Sequence, residues 1–189
     1  MQTESSVTVK GSPIRSLQAF LQRELTPAQR EDAFSTLSPD DSTKLRSRVV
    51  AIETYPLATI NRLTEAAARA KGEPLEQFAR RAGRAAASDA IRGVYRFFVL
   101  VLTPTALLSK AANMWRTVYS AGELRVESAT ATSARIRLSD FPSESAGCGL
   151  VTGWMEQLAD LTGVTGVEIS HTKCVAHGAE ECEWKLKWR

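Results

Sequence analysis

Apolar residues recur at helical spacing through the first two-thirds of the chain. Ile14, Leu17, Phe20 and Leu21 form one stripe, and Leu57, Ile60, Leu63, Ala67 and Ala70 form a second that Gly72 stops. Ser12-Pro13, Thr26-Pro27 and Ser38-Pro39 each place a hydroxyl where an N-cap is needed and proline at the first helical position. Gln29 stands at capping-box distance from Thr26, and Asp41 is the carboxylate counterpart for Ser38. A long helix is expected from Pro74 to about Leu102, and Thr103-Pro104 restarts the chain into another that carries Leu107, Leu108, Met114 and Trp115.

The period changes to two at Gly122. Leu124, Val126, Ile136 and Leu138 alternate with Arg125, Glu127, Arg135 and Arg137, which predicts a hairpin. Residues 143–161 return to helical spacing. The last segment alternates again, with Cys182, Trp184, Leu186 and Trp188 on one strand face and Glu183, Lys185 and Lys187 on the other. Helices followed by an antiparallel sheet with one crossing helix define an α+β fold. No repeat or linker divides the chain, so a single domain is expected over 1–189, with a helical region at 1–82 and a mixed region at 83–189.

Composition narrows the class. With 43% hydrophobic and 24% charged residues the chain is globular, and a net charge of +3 falls short of a nucleic-acid binder's footprint. The polar start, Met1 to Lys10, is not a signal peptide, and the most apolar stretch, Phe97 to Leu108, is too short for a membrane span. Three cysteines make no disulfide framework, so a reducing cytoplasmic location is expected. No G-x-S-x-G elbow or Gly-rich phosphate loop is present, so no enzyme is expected.

All cysteines and both histidines lie late in the chain, at Cys148, His171, Cys174, His177 and Cys182. A turn at Gly178 would set Cys174 and Cys182 on the two sides of one hairpin, with Cys148 coming from the start of the preceding helix. Thiolate and imidazole suit zinc, although residue type alone favours three small core residues. The segment Cys174-x7-Cys182, together with the glycine-rich helix Cys148 to Trp154, resembles the 4-vinyl reductase domain family, which is similar to heme-NO-binding and TRAPP-subunit folds. The first half, with Gly11-Ser12-Pro13 and Tyr55-Pro56-Leu57, is more similar to a bacterial family of uncharacterised paralogues with this C-terminal pattern.

That resemblance implies a structural zinc on Cys148, Cys174, Cys182 and His171, with His171 standing where phenol-sensing members carry a glutamate. His177 stays outside the set. It also implies a sensory domain for a small hydrophobic molecule, walled by Phe97, Phe98, Val101, Leu107 and Trp115. A homodimer and a downstream protein partner are expected with it. Heme is set aside at this stage, because Tyr119-Ser120 does not supply the Tyr-x-Ser-x-Arg clamp and neither histidine lies in a helical stretch. The alternative is a TRAPP-like homodimeric adaptor without a small ligand; an enzyme acting on a tetrapyrrole is a third reading. Arg80, Arg81, Arg84, Arg92 and Arg96 read as a solvated face of the long helix.

Overall fold

The structure is a computed structural model, and it describes residues 7–91 and 101–189. Strand β1 (Thr8–Lys10) leads into helix α1 (Gly11–Glu24), followed by α2 (Pro27–Ser35) and α3 (Pro39–Arg46). Strand β2 (Thr54–Pro56) pairs antiparallel with β1 and opens α4 (Leu57–Lys71), and α5 (Leu75–Ala90) completes the first part. Helix α6 (Pro104–Val118) then precedes β3 (Glu123–Ala129) and β4 (Ser133–Ser139). Helix α7 (Ser145–Leu161), β5 (Glu168–Lys173) and β6 (Cys182–Lys187) end the chain. The four-stranded antiparallel sheet has the order β3-β4-β6-β5, so α7 crosses between β4 and an outer strand while β6 returns to the middle. This is the expected α+β architecture.

Local sequence explains most of the boundaries. Thr26 and Gln29 form a complete capping box, and Ser38 and Thr103 accept from the backbone N–H three residues on. Gly72 ends α4 with φ 72°, the left-handed conformation that glycine adopts without strain. Two expectations change. Helix α1 begins at Gly11, ahead of the Ser12 cap, because the amides of Gly11 and Ser12 donate to the carbonyls of Glu53 and Ala51. With those amides already paired, a hydroxyl cap has nothing to do. Helix α5 ends at Ala90, and Val101 and Leu102 are not helical, since the chain is breaking ahead of the Pro104 restart. Residues 92–100, with Arg92, Arg96, Phe97 and Phe98, lie outside the described residues.

Two apolar clusters result. One gathers α1, α4 and α5 around Ile14, Leu17, Leu63 and Phe78, with Phe20 and Phe78 meeting edge to face at 5.4 Å. The other lies between the sheet and helices α6 and α7, and contains Leu108, Ile136, Met155, Trp184 and Leu186. Trp115, Tyr119 and Phe141 join them: Trp115 stacks on Tyr119 at 4.2 Å, both rings meet Phe141, and burial pushes the Tyr119 hydroxyl up to about 12.

Helices α5 and α7 form the closest contact of the fold. A Cβ on Gly83 would collide with the Leu150 carbonyl oxygen, and one on Gly153 with the Arg80 carbonyl oxygen. The two backbones therefore touch. Of the arginines expected to form a solvated face, Arg80 and Arg84 flank this crossing, and Arg81 reaches toward α1. Arg80 pairs with Glu156 at 2.8 Å, Arg84 with Asp160 at 2.7 Å, and Arg81 with Glu24 of α1 and Glu73. Their stems are half-exposed, so each pair contributes at most about 1 kcal/mol.

Gly153→Ala should therefore cost about 3 kcal/mol or more, because only separation of the helices relieves a clash with backbone. Gly147→Ala, whose Cβ would meet only the Asn61 side chain at 3.2 Å, should be close to neutral. Urea unfolding of the two variants checks the contrast.

Candidate metal centre

Three elements deliver four donors to one point. The helical crossing fixes α7, and Cys148 in its first turn is buried against the sheet. His171 lies on β5 opposite Trp184 of β6, and a register shift between His171 and Lys173 bends the strand end so that Cys174 turns inward. Cys182 opens β6 opposite Leu138 of β4. Between Cys174 and Cys182 a short 3-10 turn, Val175–His177, closes on Gly178 at φ 89°, with the Cys174 carbonyl accepting from the amides of His177 and Ala179.

The ligand atoms of Cys148, His171, Cys174 and Cys182 all lie within 4.8 Å of one another. The Cys148 sulfur is 3.6 Å from that of Cys174 and 3.8 Å from that of Cys182. These are free thiols, and their sulfurs stand too far apart for a disulfide, about 2.05 Å. They match a different figure. Sulfurs at the corners of a tetrahedron around zinc, with bonds of about 2.3 Å, stand about 3.8 Å apart. The donor set fits such an ion. Among the described residues His171 Nε2 is buried and has no hydrogen-bond partner, a costly state that a metal bond would satisfy. His177, by contrast, is exposed in the turn.

Electrostatics already favours a thiolate here. The Cys148 thiol, then His171, Ser143 and the Val175 N–H, draw Cys182 well below the usual thiol range. The same contact, together with burial, pushes Cys148 upward. The Val175 amide donates to the Cys182 sulfur at 3.4 Å.

Residue types alone did not reveal the supports. Trp184 Nε1 donates to Thr152 Oγ1 at 2.7 Å, and that hydroxyl donates to the Cys148 carbonyl at 2.8 Å. The His171 ring stacks on Trp184 with centroids 4.5 Å apart and planes at 5°. One indole therefore orients both the helix that carries Cys148 and the imidazole. The available signal was spacing: Thr152 follows Cys148 by four residues and Trp184 follows Cys182 by two. Of the residues expected to wall an apolar pocket, Leu107 and Trp115 are buried together while Val101 is 80% exposed.

The architecture is that of the heme-NO-binding (H-NOX) fold. An H-NOX protein from S. oneidensis in the Fe(II)NO ligation state is similar to the chain at TM-score 0.73 and 14% identity, covering 95% of this chain and 99% of that one. An Fe(II) unliganded H-NOX protein from K. algicida matches at TM-score 0.71 and 11% identity, covering 95% and 96%. A third structure, concerned with heme redox potential modulated through porphyrin distortion, matches at 0.68 and 9%, covering 94% and 99%. The chain belongs to a family of proteins of unknown function, DUF2378, whose sequence model matches residues 9–189. No curated protein matches it.

The heme-NO-binding part of the resemblance therefore stands, whereas the comparisons do not carry its 4-vinyl reductase and TRAPP-like parts. They also correct the setting aside of heme. That exclusion rested on a missing sequence motif and on histidines outside helical stretches, yet the fold of proteins described with heme and Fe(II) spans almost the whole chain at 9–14% identity. Motif absence does not count against a scaffold retained at such divergence. The four donors gathered here are another matter: atoms within 4.8 Å of one another fit one bare ion and leave no width for a porphyrin.

Thr152→Val should leave the Trp184 N–H and the first turn of α7 without their shared hydroxyl. A buried donor left unpaired costs about 1–3 kcal/mol. The loss should appear in thermal unfolding.

Proposed function

We propose that this protein is a sensory domain of heme-NO-binding architecture that responds to a small apolar molecule, gases included, and is not an enzyme. Its C-terminal hairpin is held to α7 by one structural zinc ion on Cys148, His171, Cys174 and Cys182. The observation that carries the metal reading is the convergence of the four donors within 4.8 Å of one another, with a buried imidazole nitrogen otherwise unpaired. Four protein ligands leave no open position for a catalytic water, so the ion stiffens the structure and does no chemistry. Support for the sensory reading is the fold shared with H-NOX proteins described in Fe(II) and Fe(II)NO states. Two copies associate through the surface around α6, where Val101 and Met114 are 80% and 61% exposed, and the output passes to another protein.

Elemental analysis of freshly purified protein should find one zinc per chain. Cys174→Ser should lose it and lower the melting temperature by about 10 °C, since structural metal binding is folding free energy. Absence of metal from the wild type, or full retention in both Cys174→Ser and His171→Ala, overturns the site.

Protein produced with excess heme precursor and exposed to nitric oxide decides how the small molecule is held. A Soret band that shifts with the gas places the response on iron porphyrin. A gas-induced rise in melting temperature without that band places it on the protein alone. If the gas produces no band shift and no rise in melting temperature, the gas-sensing reading is defeated.

A further inference from the structure

Remote from the metal centre, α1, α2 and α3 enclose a surface cleft of about 750 Å³. Arg15, Arg30, Arg46 and Arg48 line it, with Glu31 as the single acidic residue. That excess of three positive charges equals the net charge of the entire chain, so cations and anions balance everywhere else. The cleft concentrates the field of the molecule.

The four arginines are not equivalent. Arg30 is spent on the Leu25 carbonyl at 2.7 Å, and Arg46 on Glu31 at 2.6 Å, with its guanidinium 5.0 Å above the Phe34 ring. Arg15 and Arg48 are exposed and, among the described residues, have neither a hydrogen-bond partner nor an ion pair. Below them the floor is apolar, formed by buried Leu45 and Val49. Two free guanidinium groups over an apolar floor suit carboxylates carried beside an apolar side chain.

We infer that this cleft is a docking site for an acidic segment of a partner protein. Other anions fit less well. The cleft is open and its free arginines are exposed, whereas a small-molecule site buries most of its ligand. Phe34 is the single aromatic residue lining the cleft and one of its faces is covered by Arg46, so successive nucleic-acid bases find no run of stacking platforms. The large hydrophobics exposed among the described residues, Ile52, Val101 and Met114, do not line the cleft, so its lining offers nothing that would enter a lipid surface.

The test uses the full chain and a fluorescein-labelled 16-residue peptide of glutamate and aspartate with leucine at helical spacing. Anisotropy should show saturable binding that weakens steeply as salt is raised. Arg15→Glu with Arg48→Glu should weaken it by about tenfold or more, while Lys185→Glu with Lys187→Glu, an equal charge change on the exposed face of β6, should leave it within about twofold. Melting temperatures of both variants verify folding. The inference falls if the peptide does not bind, if the two charge reversals weaken it equally, or if a single-stranded oligonucleotide or anionic vesicles of equal charge bind more tightly through the same arginines.

Discussion

Everything in this structure hangs on the contact between α5 and α7. A helix pair normally keeps its axes apart by the bulk of its side chains, but here Gly83 and Gly153 put carbonyl oxygens where a Cβ would stand. Gly149 adds a third small surface against Ala79. Such proximity gains dispersion along both backbones, and it cannot be adjusted by choosing another rotamer. The ion pairs of Arg80 and Arg84 with Glu156 and Asp160 lie beside the crossing and fix its azimuth more than its strength. The crossing joins the helical cluster to the cluster under the sheet, so the position of α7 is set from the N-terminal side.

The metal centre inherits that position. Cys148 cannot approach the hairpin unless α7 lies at this height, and the Trp184–Thr152–Cys148 chain of hydrogen bonds records the same constraint from the sheet side. Three buried thiols and an imidazole form an expensive group to enclose without a cation, because each thiolate loses its hydration and repels the next. The Cys148 and Cys182 thiols are accordingly pushed in opposite directions, Cys148 up and Cys182 down. A divalent ion removes the conflict altogether, since it prefers all three thiols ionised and takes up the imidazole nitrogen as well.

Much of this was legible from residue pattern. The Thr26, Ser38 and Thr103 caps, the Gly72 stop and the switch to period two at Gly122 located helices and strands, because each is a local effect. The set Cys148, His171, Cys174 and Cys182 came from the family resemblance, since residue type alone favoured core packing, and their ligand atoms lie within 4.8 Å of one another. Long-range contacts were not legible. Nothing local shows that Glu53 and Ala51 satisfy the start of α1, that β1 pairs with β2, or that Arg80 and Arg84 face acids of α7 more than seventy residues away. The setting aside of heme failed for a related reason. It treated a missing motif and the lack of a helical histidine as if they were a missing fold, although backbone geometry persists long after side chains have changed.

Fold and site therefore make separate claims. The scaffold links this chain to H-NOX proteins, while the donors and the basic cleft are its own side chains and must be judged by their chemistry. Helix α5 is the element common to both ends. It meets α1, which lines the cleft, through Phe20–Phe78 and Arg81–Glu24, and it meets α7, which carries Cys148, through the glycines. Contiguity alone transmits nothing; coupling needs an element with two arrangements that both sites bias. The glycine crossing is a poor candidate, because backbone contact leaves it one geometry, so α5 and α7 move as a unit. Any switching must occur where this unit meets its neighbours: at the Trp115–Tyr119–Phe141 cluster toward α6, or at the α1 face toward the cleft. Both are side-chain contacts, which can rearrange without breaking a backbone fit.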